Sequence, residues 1–550
     1  MQLASENAAR LEVGGVRAGR KTVHHNEQRP TDRAGATEVH QTVYQTKKFE
    51  ELEKSLECLR DAFSRRQTFE WMRAFVLGSI CRTDDLGIAA VVRGLELDAA
   101  SYECLLHLFR SDAWTADSLR ENWWAHLAGN VPFKRVAGRV VLPSDGCKVN
   151  KEGLRMAAAT KLHQSSETSS KGEYIRGVMY GAVGVVAEGE DGRTMCVPMM
   201  VNIQDGLRAA AGWDGAGDAG ISPRSHVAQS VECAFRAARA LKLQAILAMD
   251  RYFMTVVALK ELNRLNAEAE ADGFGPCLVQ LITKAKTNAA FWTDPPEREP
   301  HTSGRPRLKG DDVKYDELVE ADTYEELVAK GFHDVEVEIG GGKRTILAAS
   351  RELRWGKGVY QPVLVVAVKC VGKHDQVLVS TDRSLTVEQV IEAYAARWSI
   401  ECSFRSMKQD TNTFGWRFWS SSTPEHNWYA KKGDPNRLDS VTDDHDRELV
   451  LESVKAAEKY VTASCVVLGL LQLMALAEPG DGEVAWSSFS RTPRGGAVSV
   501  RAMRDFLRKR VFGFIHGATG STLASFIRSH LVGEGGYSPK AREKRRENGR

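Results

Sequence analysis

The order of elements written into the sequence predicts an α/β protein: a mixed sheet flanked by helices, interrupted by a mainly β stretch, with helical regions at both ends. Three observations carry this expectation. Between about 138 and 270 the hydrophobic pattern reads strand, strand, strand, helix, strand, helix. From 275 to 380 short β-rich runs alternate with polar loops. Before 130 and after 440, apolar residues recur every three or four positions, the period of an amphipathic helix.

Residues 1–45 are rich in charged and small residues without periodicity and are expected to form a mobile tail. Residues 46–130 carry FEELEKSLECLRDAF, FEWMRAFVLGSI, DLGIAAVVRGL and SYECLLHLF, several short helices that pack into a small N-terminal domain. Such a bundle can read DNA, but short bundles serve many purposes, and both readings stay open. Residues 131–270 hold GRVVLPSDG, YIRGVMYGAVGVVAEG and RTMCVPMMVNI as three successive strands. SHVAQSVECAFRAARALK then follows as a helix, LQAILAMD as a strand and RYFMTVVALKELNRL as a helix. That is the order of a ribonuclease H-like core, of which this is the first part.

Residues 271–383 form the mainly β insertion, with PCLVQLITKA, DVEVEIG, KRTILAAS, YQPVLVVAVKCV and QVLVSTD as strands and PPEREPHTSGRPRLKGDD as a loop. Residues 384–425 return to the core with a helix opened by Thr386 as N-cap, Glu388 and Glu392 lying near its positive end. Residues 426–535 begin with a loop rich in Ser, Asn and Asp and continue as a helical C-terminal region. The last stretch, 536–550, is a basic tail.

At 550 residues the chain is too long for one core, and 43% hydrophobic with 27% charged residues is ordinary for a multidomain globular protein. A net charge of +3, from 75 Lys and Arg against 72 Asp and Glu, does not announce nucleic-acid binding and leaves any basic surface to be found locally. Ten cysteines stand singly with no Cys-x-x-Cys pair, so neither a zinc site nor a disulfide framework is expected. The first thirty residues lack the apolar stretch of a signal peptide, and VTASCVVLGLLQLMALA at 461–477 is short and interrupted by Thr, Ser and Gln. The expectation is a cytoplasmic protein with no membrane contact, that run being a buried helix. No GxxxxGK[ST] loop occurs, and ATP dependence is not expected.

The segment YAARWSIECSFRSMK, 394–408, contains an unusual pattern. At about 100° per residue, Tyr394, Arg397, Glu401 and Lys408 fall on one helical stripe about 60° wide. The ordinary explanation is a solvated face with salt bridges between turns. The carboxylates elsewhere offer another. Two-metal phosphoryl chemistry gathers about three carboxylates around ions roughly 3.5 to 4 Å apart. In a sheet of this order the places for them are the end of the first strand, the end of the fourth and a later helix. Asp145 in VVLPSDG, Asp250 in AILAMDRYF and Glu401 stand at those three places.

The spacing Tyr394-x2-Arg397-x3-Glu401-x6-Lys408 matches the Tyr-Arg-Glu-Lys signature of DDE-type insertion-sequence transposases. Several surrounding stretches resemble that family in the same order: VLVSTDRSLTVEQVIEAYAARWSIECSFRSMKQ, MDRYF at Asp250, SDGCKVNKEG at Asp145, HQSSETSSKGEYIRG at 163–177 and GRPR at 304–307. The resemblance covers roughly 130–425. It implies a ribonuclease H-like catalytic domain with a β insertion, and Asp145, Asp250 and Glu401 as catalytic metal ligands for Mg²⁺, with Mn²⁺ as a substitute. It also implies Tyr394, Arg397 and Lys408 as DNA-phosphate contacts, with Arg305 and Arg307 of GRPR either gripping phosphate or forming a plain basic loop. Trp292 and Trp355 are candidates for stacking on an extruded base, although aromatic residues in β modules usually belong to the core. His163 reads as a hydrogen-bonded loop residue. The implied partners are double-stranded DNA, as transposon ends and target, and a second copy in the synaptic complex. The implied location is the bacterial cytoplasm, nucleoid-associated when bound to DNA. Two alternatives remain open: a metal-dependent nuclease on the same fold, and a DNA-binding descendant without activity.

Overall fold

The computed structural model describes residues 47–164, 172–298, 303–321, 323–370, 375–431, 433–479, 482–486 and 497–533. The tails expected at 1–45 and 536–550 lie outside these residues, as does part of the 163–177 stretch.

Five strands make the core sheet: β1 (Arg139–Asn150), β2 (Tyr174–Glu188), β3 (Thr194–Ile203), β4 (Ala245–Met249) and β5 (Val279–Lys284). β1 pairs antiparallel with β2 and β2 antiparallel with β3, while β4 lies parallel to both β1 and β5. The spatial order is therefore β3-β2-β1-β4-β5, three antiparallel strands followed by two parallel ones, which is the ribonuclease H-like arrangement. Parallel strands buried on both faces read as unbroken apolar runs, and all five residues of β4 are buried. Helices α1 (His226–Leu241) and α2 (Val256–Ala271) supply the crossovers, each opened by a hydroxyl cap: Ser225 accepts from Ala228 N and Thr255 from Ala258 N.

The sequence boundary at 271 puts Val279–Lys284 in the insertion. Its parallel pairing with β4 makes it the fifth core strand instead. The insertion follows it, with β6 (Ala290–Trp292), β7 (Asp312–Lys314), β8 (His333–Ile339), β9 (Gly342–Trp355), β10 (Gln361–Val368) and β11 (Gln376–Ser380). β11 pairs antiparallel with β5, so core and insertion share one continuous sheet.

The chain then forms α3 (Val387–Ala396) and α4 (Ser399–Gln409), where one continuous helix was expected. Thr386 caps α3 in a reciprocal box with Gln389. The break has a packing cause. Val387, Val390, Ile391 and Ala393 of α3 pack with Val141, Ile246, Ala248 and Ile282 on one face of the sheet. Ile400, Phe404 and Met407 of α4 pack with Val140, Leu142, Ala245 and Leu247 on the other. The chain crosses between faces at 397–398, where the backbone tightens into i to i−3 bonds: Arg397 N to Tyr394 O, Ile400 N to Arg397 O and Glu401 N to Trp398 O.

The second face is covered by N- and C-terminal helices, among them α5 (Asp444–Leu476). This 33-residue helix is apolar and long enough to cross a membrane, yet its most apolar window is 94% buried within the fold. The expected buried helix at 461–477 is part of it.

Candidate active site

Asp145 lies in β1 one residue past the last position paired to β4, and Asp250 lies just past the end of β4. Ser144 pairs with Met249 in the parallel register, so each aspartate directly follows that rung on neighbouring strands, whose backbones run about 4.8 Å apart. β4 ends at Met249, and the carbonyl of Asp250 beyond it accepts a bond from Thr283 Oγ1 of β5 (3.1 Å).

Glu401 reaches this point through Arg397. The Arg397 guanidinium donates to Asp145 Oδ2 (3.1 Å) and to Glu401 Oε1 (2.9 Å), standing between the two carboxylates. Among the described residues no three carboxylate, imidazole or thiol side chains already stand close enough to share one ion.

The electrostatics are those of a crowded acidic site. Burial pushes the Asp145 carboxyl up to about 6, opposed by Arg397 and by the Gly146 N–H bond at 2.7 Å, and reinforced by the negative charges of Asp250 and Glu401. Burial raises Tyr394 to about 12, with Arg397 acting against the shift and Asp250 and Asp145 adding to it. The Tyr394 ring lies 5.8 Å from the Arg397 guanidinium. Lys408 sits against the buried Cys147 thiol, two residues beyond Asp145, and holds that thiol down against the burial that raises it. Across the helical break Tyr394, Arg397 and Glu401 still gather at Asp145 and Asp250, and Lys408 stands at Cys147, two residues further along β1.

The other candidates lie elsewhere. Arg305 and Arg307 are exposed on the loop between β6 and β7 of the insertion. Trp292 and Trp355 are each only 7% exposed, leaving neither ring a free face in this structure. Trp355 packs in the insertion core, and Trp292 meets Tyr360 edge-on at 5.0 Å and Lys309 at 4.6 Å. His163 is exposed on the edge strand Thr160–His163, edge-on to Tyr174.

Three residues were not singled out by the sequence. Lys284, at the end of β5, is lowered by burial and by Arg251, against the pull of Asp250. Its position at a core strand end would have revealed it had that strand been assigned to the core. Tyr252 (56% exposed) stacks on His226 at 5.1 Å beside Asp250, and Trp398 (55% exposed) projects at the crossing between α3 and α4.

The sequence places Asp145 at the end of the first strand, but β1 runs on to Asn150, and Asp145 stands instead where its pairing with β4 stops. An α/β sheet of ribonuclease H-like order, with carboxylates on its first strand, just past its fourth and on a later helix, is the arrangement of DDE-type transposases. The family described as Transposase DDE domain matches residues 244–427, and the chain contains that domain. The match spans Asp250 and the whole signature; Asp145 lies outside it. Such domains act in DNA transposition and recombination and generally use divalent metal ions. Among curated proteins no match is found. Among solved structures the chain is similar to a piggyBac transposase in a synaptic complex with hairpin DNA, at 10% identity. That similarity covers 86% of this chain and 78% of that one with a TM-score of 0.31, too distant to carry function across.

Proposed function

We propose that the chain binds the ends of a mobile DNA element, cuts the DNA there and joins the freed 3′ hydroxyl to target DNA. The observation that supports this most is the meeting of Asp145, Asp250 and the Arg397–Glu401 pair, which come from three separate segments of the chain. Asp145, Asp250 and Glu401 are the residues that would hold divalent metal. Their donors are all carboxylate oxygens, the set that suits Mg²⁺ and Mn²⁺. A carboxyl held at about 6 with one guanidinium as its cation is a site that gains from added positive charge. Ions bound there supply activation of the attacking oxygen and stabilisation of the leaving one.

The remaining chemistry belongs to the chain. Arg397 and Lys408 present cations, and Tyr394 a hydroxyl, toward a DNA phosphate lying over the carboxylates, fixing its register for in-line attack. In the first step water attacks phosphorus and the 3′ oxygen leaves with a proton. In the second, that 3′ oxygen bonds to a target phosphorus as the target's own 3′ oxygen departs, exchanging one phosphodiester for another. No covalent protein intermediate and no ATP are required. Pairing two ends calls for at least two copies of the chain on DNA, in the cytoplasm where the nucleoid lies.

The test uses labelled duplexes carrying inverted repeats read from DNA flanking the gene, a supercoiled target plasmid and Mg²⁺. Joined product is the expected result. Nicking without joining would leave a nuclease, and a gel shift without either would leave a DNA-binding descendant.

A further inference from the structure

Unused positive charge lies beyond the carboxylates, on the outer edge of β2. Lys161 of the edge strand Thr160–His163 stands directly opposite Arg176 of β2 in an antiparallel pair. Like charges directly opposite on paired strands destabilise the pairing. Neither side chain makes an ion pair among the described residues, while Glu173 meets His163 at 3.6 Å and Glu425 meets Arg155 at 3.2 Å.

The two cations are held together by one indole. Lys161 Nζ lies 5.3 Å and the Arg176 guanidinium 6.0 Å from the Trp428 ring, and Lys161 also lies 4.9 Å from the ring of Tyr174. Arg176 gives one N–H to the Glu152 carbonyl (3.0 Å), while its Nε is buried without a partner. Behind them, Arg437 is committed to backbone carbonyls, among them Leu154, Met156 and Ala159. Burial and the neighbouring Arg176 lower Arg437 to about 10, and His426 is lowered by burial, Arg437, Arg176 and Lys161. The cluster repels itself, and among the described residues neither Lys161 nor Arg176 is paired with a carboxylate.

Its place relative to the catalytic carboxylates is set by β1. The Arg176 carbonyl accepts from Lys151 N, six positions past Asp145 along the line of the strand. At about 3.3 Å per residue that is roughly 20 Å, and at 3.4 Å per base pair it is on the order of six base pairs of duplex.

We infer that Lys161 and Arg176 form a subsite for the sugar-phosphate backbone of double-stranded DNA, gripping the duplex about six base pairs from the phosphate at Asp145 and Asp250. The inference rests on the transposase reading for the identity of the anion. The counter-charge that the sheet pairing lacks is then supplied by the substrate, and the contact is independent of sequence because it reads only phosphate.

Binding of a mixed-sequence duplex is measured across a salt series, with Ca²⁺ in place of Mg²⁺, for wild type, Lys161→Ala/Arg176→Ala and, as a control for one exposed charge, Lys260→Ala. The double variant should lower the slope of log affinity against log salt by roughly two, near 0.9 per phosphate contact, with Lys260→Ala unchanged. Lys161→Glu supplies a signature that a structural role would not give. It converts the like-charge pair into an opposite-charge pair, so its Tm should rise while its DNA affinity falls below that of Lys161→Ala. A steep wild-type slope retained in the double variant overturns the subsite and leaves the DNA reading standing. A wild type that shows no salt-dependent binding overturns the DNA reading itself. A fall in Tm for Lys161→Glu that tracks its loss of affinity would make the pair structural and sink the proposal.

Discussion

Replacing Asp145 by Asn should stabilise the metal-free protein relative to wild type above about pH 6, and the advantage should disappear below about pH 4. Asp145 has a folded-state pKa raised from the usual 3.8 to about 6. Between those values the folded chain keeps a proton that the unfolded chain has released, so wild-type stability falls as pH rises through the window and stays lower above it. At 1.36 kcal/mol per pH unit the loss is about 3 kcal/mol. The side chain is only 23% exposed, so solvent screening trims this figure modestly. Asn carries no such titration. Near 2.1 cal/mol/K per residue, the 550 residues give an unfolding entropy of about 1.2 kcal/mol/K. The advantage is then roughly 2 to 3 °C in Tm if the chain melts as one unit, and larger if the core melts alone. The assay is calorimetry of both proteins in EDTA from pH 4 to 8, read as the difference between them. Added Mg²⁺ should raise the wild-type Tm above pH 6 and raise the variant less. A difference that does not change with pH would refute the reasoning, since it would mean that Asp145 ionises as an ordinary carboxylate.

Lys408→Ala should weaken DNA binding at every sequence and reduce the salt slope by about one, with cleavage falling further than affinity. A superimposable titration with normal cleavage would return the signature stripe to an ordinary solvated face. Glu458→Gln should destabilise the fold by about 3 to 5 kcal/mol. Glu458 is buried against Arg120 at 3.0 Å and accepts the Ile203 N–H at 2.6 Å, fastening α5 to β3; denaturant melts would show it, with DNA affinity intact in the cold. Trp355→Ala should lose about 3 to 5 kcal/mol of stability and impair nicking and any hairpin step equally, because the ring packs in the insertion core. A selective loss at a hairpin step would restore it as a base-stacking residue.

The order of core strands was legible because burial on both faces leaves an unmistakable mark: AILAM is apolar at every position. Which neighbours a strand takes leaves no such mark. Val279–Lys284 pairs with β4 on one edge and β11 on the other, and periodicity alone could not say that it closes the core. That misplacement hid Lys284. The signature stripe was visible through its spacing, but not the break within it, because a helical period is blind to the face on which the next turn will pack. Arg397 shows the limit most clearly. Its spacing put it beside Glu401, while its bond to Asp145, 252 residues away, arises only once α3 and α4 fold over the strand ends. Trp292 and Trp355 were singled out by residue type, and burial is what type cannot report.

The most direct measurement is metal-dependent nicking of end DNA by Asp145→Asn, Asp250→Asn and Glu401→Gln, each beside a gel shift and a melting curve. The account predicts that all three lose cleavage with Mg²⁺ and with Mn²⁺ while still binding end DNA and melting cooperatively. Normal cleavage by any folded member of the set would contradict it, and for Asp145, which lies outside the matched domain, would require another ligand near that point of β1.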